Sequence, residues 1–504
     1  MRNLCFLLIL VLSSLGCTGG DETTPENAGG VQQRLVLGMG LEPPHLDPTS
    51  SAAAAVDEVV YANVFEGLTR IDSNGEVQAA LAATWTVSED GLTYNFALRP
   101  GVRFHDGTVL DAGIVRDSLE RIRADDSVNP EKRRFAAVRE IQAVDDGTVQ
   151  ILLERPYDLL YFLAWGDAVV VLADKAADNR NAPVGTGPFR FHRWIKGDRV
   201  ELQRFDDYWG GPATLESVVF QFIPDSAAAV AALMAGDVDG FPNFPTPESL
   251  ESLAADSRFE VVIGSTEGET ILAMNNSRPP FDDIRVRRAI SHAVNRQAVI
   301  DGAMFGHGTP IGSHFSPLHP AHVDLTGRYP WDPRKARNLL AEAGFEKGFK
   351  ARLELPPPTY ARRGGEIIAA QLAEVGIDVE IVPVEWAQWL ERVYGNGDYD
   401  LTIVSHTEPL DIDIYARDDY YFNYRNDDLR SLLEEAAQTR NTAERHEFLV
   451  QAQFRITEDA VNAYLFQLPK LGVWKTGLEG LWHNSPVQAN DVTDVRWAVA
   501  AASP

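Results

Sequence analysis

A short apolar run leads into a polar loop in the stretch Asp400-Leu-Thr-Ile-Val-Ser-His-Thr-Glu-Pro-Leu-Asp-Ile-Asp-Ile-Tyr-Ala-Arg-Asp-Asp-Tyr-Tyr-Phe-Asn-Tyr424. The apolar, β-branched residues Leu401–Val404 predict a buried strand, and the Pro-containing segment after it predicts a loop. Because ligands of open α/β sheets bind beyond the carboxyl ends of the strands, we expect this loop to line a cleft. The alternative is a solvated loop with tyrosines packed beneath it. The side chains expected at the cleft are His406, Glu408, Asp411, Asp413, Tyr415, Tyr420, Tyr421, Phe422 and Tyr424.

Helices alternate with strands on both sides of this stretch. Asp332 and Pro333 have the form of an N-cap followed by proline in the first turn, and Gly344 follows the end of that helix. Such alternation predicts crossover units and a largely parallel sheet. The other predicted segments are helices at 364–375, 387–394, 427–439 and 442–457, and strands at 377–382 and 400–404.

The first half of the chain begins with a predicted strand at Arg34–Gly40 and a predicted helix at Ala52–Leu68. From Leu81–Phe104 the pattern alternates between turn signals and predicts an antiparallel meander. Asp111 has the form of an N-cap for the helix that follows, and a second hairpin is expected around Asp146-Gly147.

Length and charge restrict the classes of protein and partner. The 504 residues correspond to about three domains or two large lobes, and the hydrophobic fraction of 45% is sufficient for folded cores. The formal net charge of -28 repels phosphate backbones, so we expect no nucleic-acid partner. An acidic surface also favours cationic ligands, although solubility alone accounts for such a surface.

The N-terminus has the layout of an export signal. A basic start is followed by an apolar run at Leu4–Leu12 and a small-residue segment that ends at Cys17, and the apolar run is too short to span a membrane. The segment resembles a bacterial lipoprotein signal, which implies lipidation of Cys17, although Ser14 stands where a leucine is usual. Residues 18–30 have the composition of a flexible tether. The alternative is ordinary secretion with an N-terminal tail.

The sequence predicts no catalytic residues, no cofactor and no metal site. Metalloprotease, serine-hydrolase and phosphate-loop motifs are absent, and Gly185-Thr186-Gly187-Pro188 has the composition of a turn. The only other cysteine, Cys5, lies in the export signal, so the body has no disulfide. The histidine-rich segment is a possible metal site, but its prolines favour an irregular loop. Its members are His307, His314, His319 and His322.

Several motifs follow one another in a fixed order along the chain. They include Val184-Gly-Thr-Gly-Pro-Phe189 and Asp207-Tyr-Trp-Gly-Gly-Pro212, together with Leu81–Thr108, Val219–Pro224, Leu233–Asp239, Pro279–Arg296 and Asp332–Gly344. In this order they resemble the family of extracytoplasmic solute-binding proteins that serve dipeptide, oligopeptide and nickel ABC importers. The resemblance extends over nearly the whole mature chain.

The resemblance implies an α/β, two-lobed periplasmic-binding-protein fold of type II, with an extra subdomain in the first lobe and a hinge between the lobes. The expected segments are a signal peptide (1–16), a tether (17–30), the core of lobe I (31–62, 184–266 and 466–504), its extra subdomain (63–183) and lobe II (267–465). Hinge crossings are expected near Ser265–Leu272 and Ala463–Leu468.

The implied function is capture of a peptide-like or other polar solute for the permease and ATPase of an ABC importer. We expect a monomer in the periplasm or at the cell surface, held to the membrane only through its N-terminal lipid. One alternative is a ligand sensor of the same fold, coupled to a chemoreceptor or kinase, whose ligand is an opine, an oligosaccharide, a metal or a metal chelate. Another is an exported hydrolase.

The resemblance also implies roles for particular side chains. Peptide-binding relatives place an Asp just after the strand that corresponds to Leu401–Val404, where this chain has His406, with acids displaced to Glu408, Asp411 and Asp413. Dipeptide-binding relatives place an Arg beside a Pro-Tyr stretch, and here Arg362 and Arg363 follow it closely. Trp386 is a candidate for an aromatic wall of the cleft, the alternative being core packing together with Trp389.

Overall fold

The computed structural model describes residues 33–51, 53–408, 410–439 and 441–498. The predicted signal peptide, the tether and Cys17 lie outside the described residues. Across the described residues, no helix is both long enough and apolar enough to cross a membrane.

Strands and helices alternate along the described chain. The strands are β1 (Arg34–Met39), β2 (Thr69–Ile71), β3 (Val77–Ala79), β4 (Ala82–Val87), β5 (Thr93–Leu98), β6 (Val138–Asp145), β7 (Thr148–Leu153), β8 (Phe189–Ile195), β9 (Arg199–Arg204), β10 (Ser217–Phe222), β11 (Gly240–Phe241), β12 (Phe259–Met274), β13 (Thr309–Pro310), β14 (Phe349–Leu355), β15 (Ile377–Pro383), β16 (Leu401–His406), β17 (Asn462–Lys475), β18 (Leu478–Glu479) and β19 (Arg496–Trp497). The α-helices are α1 (Ala54–Val60), α2 (Ala112–Arg123), α3 (Ser226–Ala235), α4 (Leu250–Ala254), α5 (Ile284–Ala293), α6 (Arg296–Met304), α7 (Pro333–Glu342), α8 (Thr359–Glu374), α9 (Trp386–Trp389), α10 (Asp427–Gln438) and α11 (Thr442–Glu458).

Two long strands hold the largest sheet together. Its order is β15-β14-β16-β12-β17-β11-β1-β10-β9-β8, with β13 added beside β17. The antiparallel pair β12 and β17 is bordered by β16 at one end, along Glu269–Met274, and by β11 at the other end, along Val473 and Trp474. The register between β12 and β17 shifts between Ser265 and Glu269, at the middle of the pair. The two lobes of the fold are therefore joined through one continuous ladder with an irregularity at its centre.

The sheet is mixed, so the prediction of a largely parallel sheet was wrong. Among the described strands of this sheet, the parallel pairs lie in the two flanks, where β14 pairs with β15 and β16, and where β1 pairs with β10 and β11. The central pairs β12–β16 and β12–β17 are antiparallel. Helical crossovers in the sequence correctly predicted the parallel pairing of the strands that they join. The strands β12 and β17 are nearly 190 residues apart, so no local sequence pattern predicts their antiparallel pairing.

Helix and strand predictions were confirmed where local capping is strong. Asp111 Oδ1 accepts the backbone N–H of Ile114 at the start of α2, at 2.8 Å, and Asp332 Oδ1 accepts N–H groups at the start of α7. The predicted meander forms a separate four-stranded antiparallel sheet with the order β4-β5-β7-β6, and α2 packs against it.

Four predicted boundaries were wrong. The helix expected at 364–375 begins at Thr359, so Arg362 and Arg363 lie on it. The helix expected at Ala52–Leu68 ends at Val60, because the Asn63 side chain donates to the carbonyl of Val59 and Ala62 adopts a positive φ of 59°. The helix expected at 387–394 is a four-residue α-helix that continues as a π-helix over Leu390–Gly395. The strand expected to end at Val404 continues to His406, which is therefore part of the strand.

The C-terminal segment covers β12 just before the register shift. Ser485 N–H donates to the carbonyl of Ser265 at 2.8 Å, and Ser265 N–H donates to Asn484 Oδ1 at 3.0 Å. A Cβ atom added to Gly264 would overlap the carbonyl oxygen of His483. Glycine is therefore the residue that lets the two segments approach.

Gly264→Ala is expected to destabilise the protein by about 1–3 kcal/mol, because backbone must move to admit the methyl group. Urea denaturation followed by circular dichroism measures the loss. Gly327→Ala is the matched control, since a Cβ at Gly327 meets nothing within 4 Å and should change the free energy of unfolding little. Equal stability of the two variants would show that the C-terminal segment does not pack closely here.

Candidate functional site

The carboxyl ends of three parallel strands, β14, β15 and β16, form one edge of the second lobe. The residues that follow these strands include Tyr360 on α8, Trp386 on α9 and Glu408 after β16. Ser405 N–H donates to the Tyr360 hydroxyl at 3.1 Å, so α8 contacts β16 near the carboxyl end of that strand. This edge is the usual place for a ligand in an open α/β sheet.

Trp386 and Trp389 have different surroundings. Trp389 is buried, and its indole N–H donates to Thr402 Oγ1 at 2.9 Å. Trp386 is half-buried, and its indole Nε1 has no hydrogen-bond partner among the described residues. The rings of the two residues meet edge to face at 5.6 Å. Trp389 thus belongs to the core. The indole N–H of Trp386, at the edge of the sheet, is free to donate a hydrogen bond to a ligand.

Three half-buried carboxylates lie within electrostatic reach of one another. They belong to Asp57 on α1, Asp167 after the Gly166 turn, and Glu408. The Asp57 carboxylate lies directly on Gly166, where a Cβ would overlap its Oδ1. Asp57 Oδ1 and Asp167 Oδ1 have no hydrogen-bond partner among the described residues. The described chain also offers none of the three a cationic side chain within ion-pair distance.

The pKa values of these acids reflect their enclosure and mutual repulsion. Burial, followed by the charge of Asp411, raises the pKa of Glu408 to about 7. Burial and then Glu408 raise the pKa of Asp57, and burial followed by Asp57 raises the pKa of Asp167. Because each carboxylate acts on another, the three acids form one acidic cluster, here defined as Asp57, Asp167 and Glu408. A cation that entered the cluster would relieve this repulsion.

Asp411 is engaged in a buried ion triad beside the cluster. His314 Nδ1 lies 3.0 Å from Glu269 Oε1, and His314 Nε2 lies 3.0 Å from Asp411 Oδ1. Both ring nitrogens face carboxyl oxygens, and the imidazolium form supplies a proton to each. Burial raises the pKa of Glu269 to about 8, although the charge of His314 opposes this. Burial opposes the imidazolium, but Glu269 and Asp411 outweigh it and raise the pKa of His314 to about 10. The triad connects the loop after β16 to the centre of β12.

Asp413 joins the lobes through arginines. It pairs with Arg417 of its own loop at 3.1 Å and with Arg134 of the meander region at 3.2 Å. Gln488 Nε2 also donates to the carbonyl of Thr407 at 2.7 Å. These contacts hold the loop after β16 against the opposite lobe.

His406 and Tyr415 lie in an aromatic core. His406 Nε2 is 2.8 Å from the Tyr421 hydroxyl, and burial lowers the pKa of His406 to about 4, so the ring is neutral. The Tyr415 hydroxyl is 2.9 Å from that of Tyr464, and only 1% of the residue is exposed. One ring nitrogen of His406 nevertheless lies within 4.8 Å of a Glu408 carboxylate oxygen, so His406 borders Glu408, whereas Tyr415 stays in the core.

The two arginines expected near the Pro-Tyr stretch are already engaged. Arg362 donates to the carbonyl of Val384 at 3.2 Å and contacts Glu385. Arg363 pairs with Glu248 of the opposite lobe. The structure therefore places both at the rim, where they make protein contacts.

The histidine-rich segment is irregular, as its prolines predicted. His319 stacks on Phe315 with the ring centroids 3.8 Å apart, and His322 Nδ1 is 2.9 Å from the Phe315 carbonyl. Among the described residues, the donor sets close enough to hold a metal do not include His307, His319 or His322. They are Glu269, His314 and Asp411, and His406, Glu408 and Asp411.

A cavity of about 780 Å³ opens between the meander region and the second lobe. Tyr394, on its wall, is close enough to the acidic cluster for Glu408 to raise the pKa of Tyr394 after the larger effect of burial. This wall of the cavity therefore lies within electrostatic reach of Glu408. Its lining residues include Arg123, Lys132, Arg133, Phe135, Arg417 and Tyr420.

Sequence reasoning missed the half of the site contributed by the first lobe. Asp57 and Asp167 carry no motif, and in so acidic a chain their composition gives no signal. The one usable signal was position, because α1 follows a strand and a Pro-rich loop, where ligands are often bound.

The comparisons with known proteins agree with this architecture. Residues 76–473 match the family of bacterial extracellular solute-binding proteins, family 5. The glutathione-binding protein GsiB of Salmonella paratyphi A is 30% identical over 394 residues, which cover 77% of this chain and 76% of that protein. The chain belongs to family 5 of the bacterial extracellular solute-binding proteins, and as such is a substrate-binding component of an ABC importer.

Two solved structures extend the comparison to the whole fold. The binding protein AgaA of A. tumefaciens R10, in complex with agropinic acid, is 28% identical with a TM-score of 0.81, covering 91% of this chain and 96% of that one. The protein DppA of Helicobacter pylori, in complex with the peptide STSA, is 25% identical with a TM-score of 0.83, covering 93% and 98%.

His314→Gln is expected to destabilise the protein by about 3 kcal/mol or more, because it leaves two buried carboxylates without a cation. A folded-state pKa above the ordinary 6.5 means that the stabilisation is complete below about pH 6.5 and is lost as the pH rises through about 10. The difference in unfolding free energy between wild type and variant should therefore shrink from pH 7 to pH 10.

Denaturant unfolding at several pH values measures this difference. His307→Gln serves as the control, because His307 lies outside the triad. A His314→Gln variant as stable as wild type, or a difference that is constant with pH, would contradict the charged triad.

Proposed function

We propose that the chain captures a polar or peptide-like solute that carries a cationic group, and that it encloses this group between its two lobes. The acidic cluster is the observation that carries the proposal. Asp57 and Asp167 come from the first lobe and Glu408 from the second, so a cation bound among them would draw the lobes together. Partly buried carboxylates without a partner are costly to keep, and a ligand ammonium or guanidinium group would supply the missing charge.

The hinge of this closure is the register shift between β12 and β17. A hinge needs a few residues that absorb backbone rotation, and an irregular ladder position provides them with little loss of hydrogen bonding. In the described arrangement the lobes already touch through Asp413, Arg134 and Gln488, as in a closed state. The predicted lobe boundaries and hinge crossings remain part of this proposal.

Other parts of the ligand would meet Trp386 and the cavity on the side of Glu408. The relatives are named for, or were solved with, glutathione, a peptide and agropinic acid. We propose a ligand of similar size, with its cationic group in the acidic cluster and its body against Trp386. In this arrangement Asp411 and Asp413 position the loop, and His406 and Tyr415 support it from the core.

The remaining parts of the proposal concern the cellular setting. The protein acts without catalysis, as a monomer, and passes its solute to a membrane permease and its ATPase. Cys17 is the site of lipidation that holds it to the membrane. Metabolic labelling with a fatty-acid analogue tests the anchor, and loss of label in Cys17→Ala is the expected result.

A thermal-shift screen against glutathione, Met-Leu, the peptide STSA, agropinic acid and sugars tests the function directly. We expect stabilisation by at least one cation-bearing solute, because a ligand that binds only the folded state raises its melting temperature. Mass spectrometry of small molecules that copurify with the protein extends the screen to unforeseen ligands. A protein that neither copurifies with a solute nor responds to any probe would contradict a binding function.

Glu408→Gln is expected to weaken binding of a cation-bearing probe roughly 30-fold, as loss of a buried charge partner does. In wild type the cation binds the ionised carboxylate, so affinity should fall as the pH falls below about 7, the pKa of Glu408. Calorimetry at pH 5.5 and pH 8 measures both effects. Glu374→Gln on the exposed end of α8 is the matched control, and unchanged affinity in Glu408→Gln would remove Glu408 from the site.

A further inference from the structure

Lys470 on β17 is a buried cation without a direct partner among the described residues. Only 2% of the residue is exposed. The described part of the chain offers its Nζ neither a hydrogen bond nor a carboxylate within 4.0 Å, and Glu58 acts on it only through its charge from farther away. The next lysine on the same strand differs, since Lys475 Nζ lies 2.8 Å from Asp239 Oδ1.

Lys470 lies near α1 of the first lobe, since the charges of Lys470 and Glu58 act on each other. The residue after it, Leu471, accepts a backbone hydrogen bond of 2.6 Å from Phe244, just beyond the carboxyl end of β11. The neighbouring Asn243 donates through Nδ2 to Glu58 Oε1 at 3.0 Å. Glu58 follows Asp57 on α1, and Asp57 belongs to the acidic cluster. A chain of contacts therefore connects the surroundings of Lys470 to the proposed cation site.

An enclosed ammonium group without a counterion is unfavourable. Burial lowers the pKa of Lys470 to about 8, although Glu58 acts in the opposite direction. A ligand oxyanion at Nζ would restore the lost solvation, and the energy gained would contribute to affinity. Lysine is suited to this role because its ammonium group is a compact charge with three donors.

The arginines that were candidates for an anionic ligand group are occupied. Arg362 is bonded to Val384 and Glu385, and Arg363 to Glu248. Near the acidic cluster, Arg134 and Arg417 are both paired with Asp413. Lys470 is thus a cation that remains available to a ligand on the first-lobe side of the cleft.

We propose that Lys470 binds a carboxylate of the solute, so that the ligand is a zwitterion held by opposite charges at two places in the cleft. This inference rests on the proposed function and adds the second anchoring point. The acidic cluster holds the cationic group, and Lys470 sets the requirement for an acidic group. Solutes that carry only a positive charge would then bind weakly.

The test compares wild type, Lys470→Gln and Lys470→Arg by calorimetry with glutathione, Met-Leu and agropinic acid, together with carboxamide derivatives of those that bind. Lys470→Gln should weaken the zwitterion roughly 30-fold or more, and Lys470→Arg should restore most of the affinity. One carboxamide derivative lacks the carboxylate that Lys470 is proposed to bind. Wild type and Lys470→Gln should bind that derivative with equal affinity. Lys350→Gln is the control, because Lys350 is an exposed lysine paired with Asp378 far along the sheet.

The possible results separate the two proposals. If Lys470→Gln binds a zwitterion as tightly as wild type, Lys470 has no role in the site while the binding function stands. If the variant loses affinity for the acid and for every carboxamide derivative alike, its effect is on folding or packing and the inference fails. If wild type binds no small solute, neither among the probes nor by copurification, both proposals fail.

Discussion

The pairing of β12 with β17 is the constraint on which the architecture depends. These strands are the only ones in the described chain that are bordered by both flanks of the large sheet, β16 on one side and β11 on the other. Apart from the short β13, which pairs with β17, every other described strand of that sheet belongs to one flank. The lobes therefore share a single ladder, and the register shift after Ser265 is the place where that ladder is least regular. A cleft between the flanks follows from this arrangement.

The arrangement of the two flanks also determines where the charges of the cleft lie. The parallel flanks direct their carboxyl ends toward the shared space, which brings Glu408 from one side and α1 from the other. Charges inside a folded protein usually have partners, and the triad of Glu269, His314 and Asp411 shows how this chain satisfies one such group. Within the described part of the chain, the acidic cluster and Lys470 have no comparable partners. Their incomplete pairing is what distinguishes a binding surface from the structural ion pairs around it.

The sequence was sufficient for the parts of the fold that depend on local chemistry. Caps at Asp111 and Asp332 and the turn pairs of the meander were predicted correctly, because each acts within a few residues. The mixed sheet was not predictable in this way, since β12 meets β17 across nearly 190 residues. The end of α1 was missed because the side chain of Asn63 ends the helix by binding Val59 and the distant Asn490.

The site was predicted only in part, because it too combines residues that are far apart in the sequence. The loop after β16 was recognised from its acids, yet nothing in the sequence told Glu408, which reaches the cluster, from Asp411, which is neutralised by His314. His406 was expected where relatives have a ligand-binding Asp, but the structure extends β16 and turns this ring toward tyrosines. Asp57, Asp167 and Lys470 are brought to the cleft only by tertiary structure.

Small-angle X-ray scattering of the emptied and reloaded protein tests the central claim most directly. Bound solute is removed by mild denaturation and refolding, and the protein is then titrated with a cation-bearing solute that stabilises it. The account predicts a radius of gyration that decreases on loading, as two lobes close on a hinge at β12 and β17. Saturating binding with no change in the radius of gyration, at a concentration where the thermal shift is complete, would contradict it.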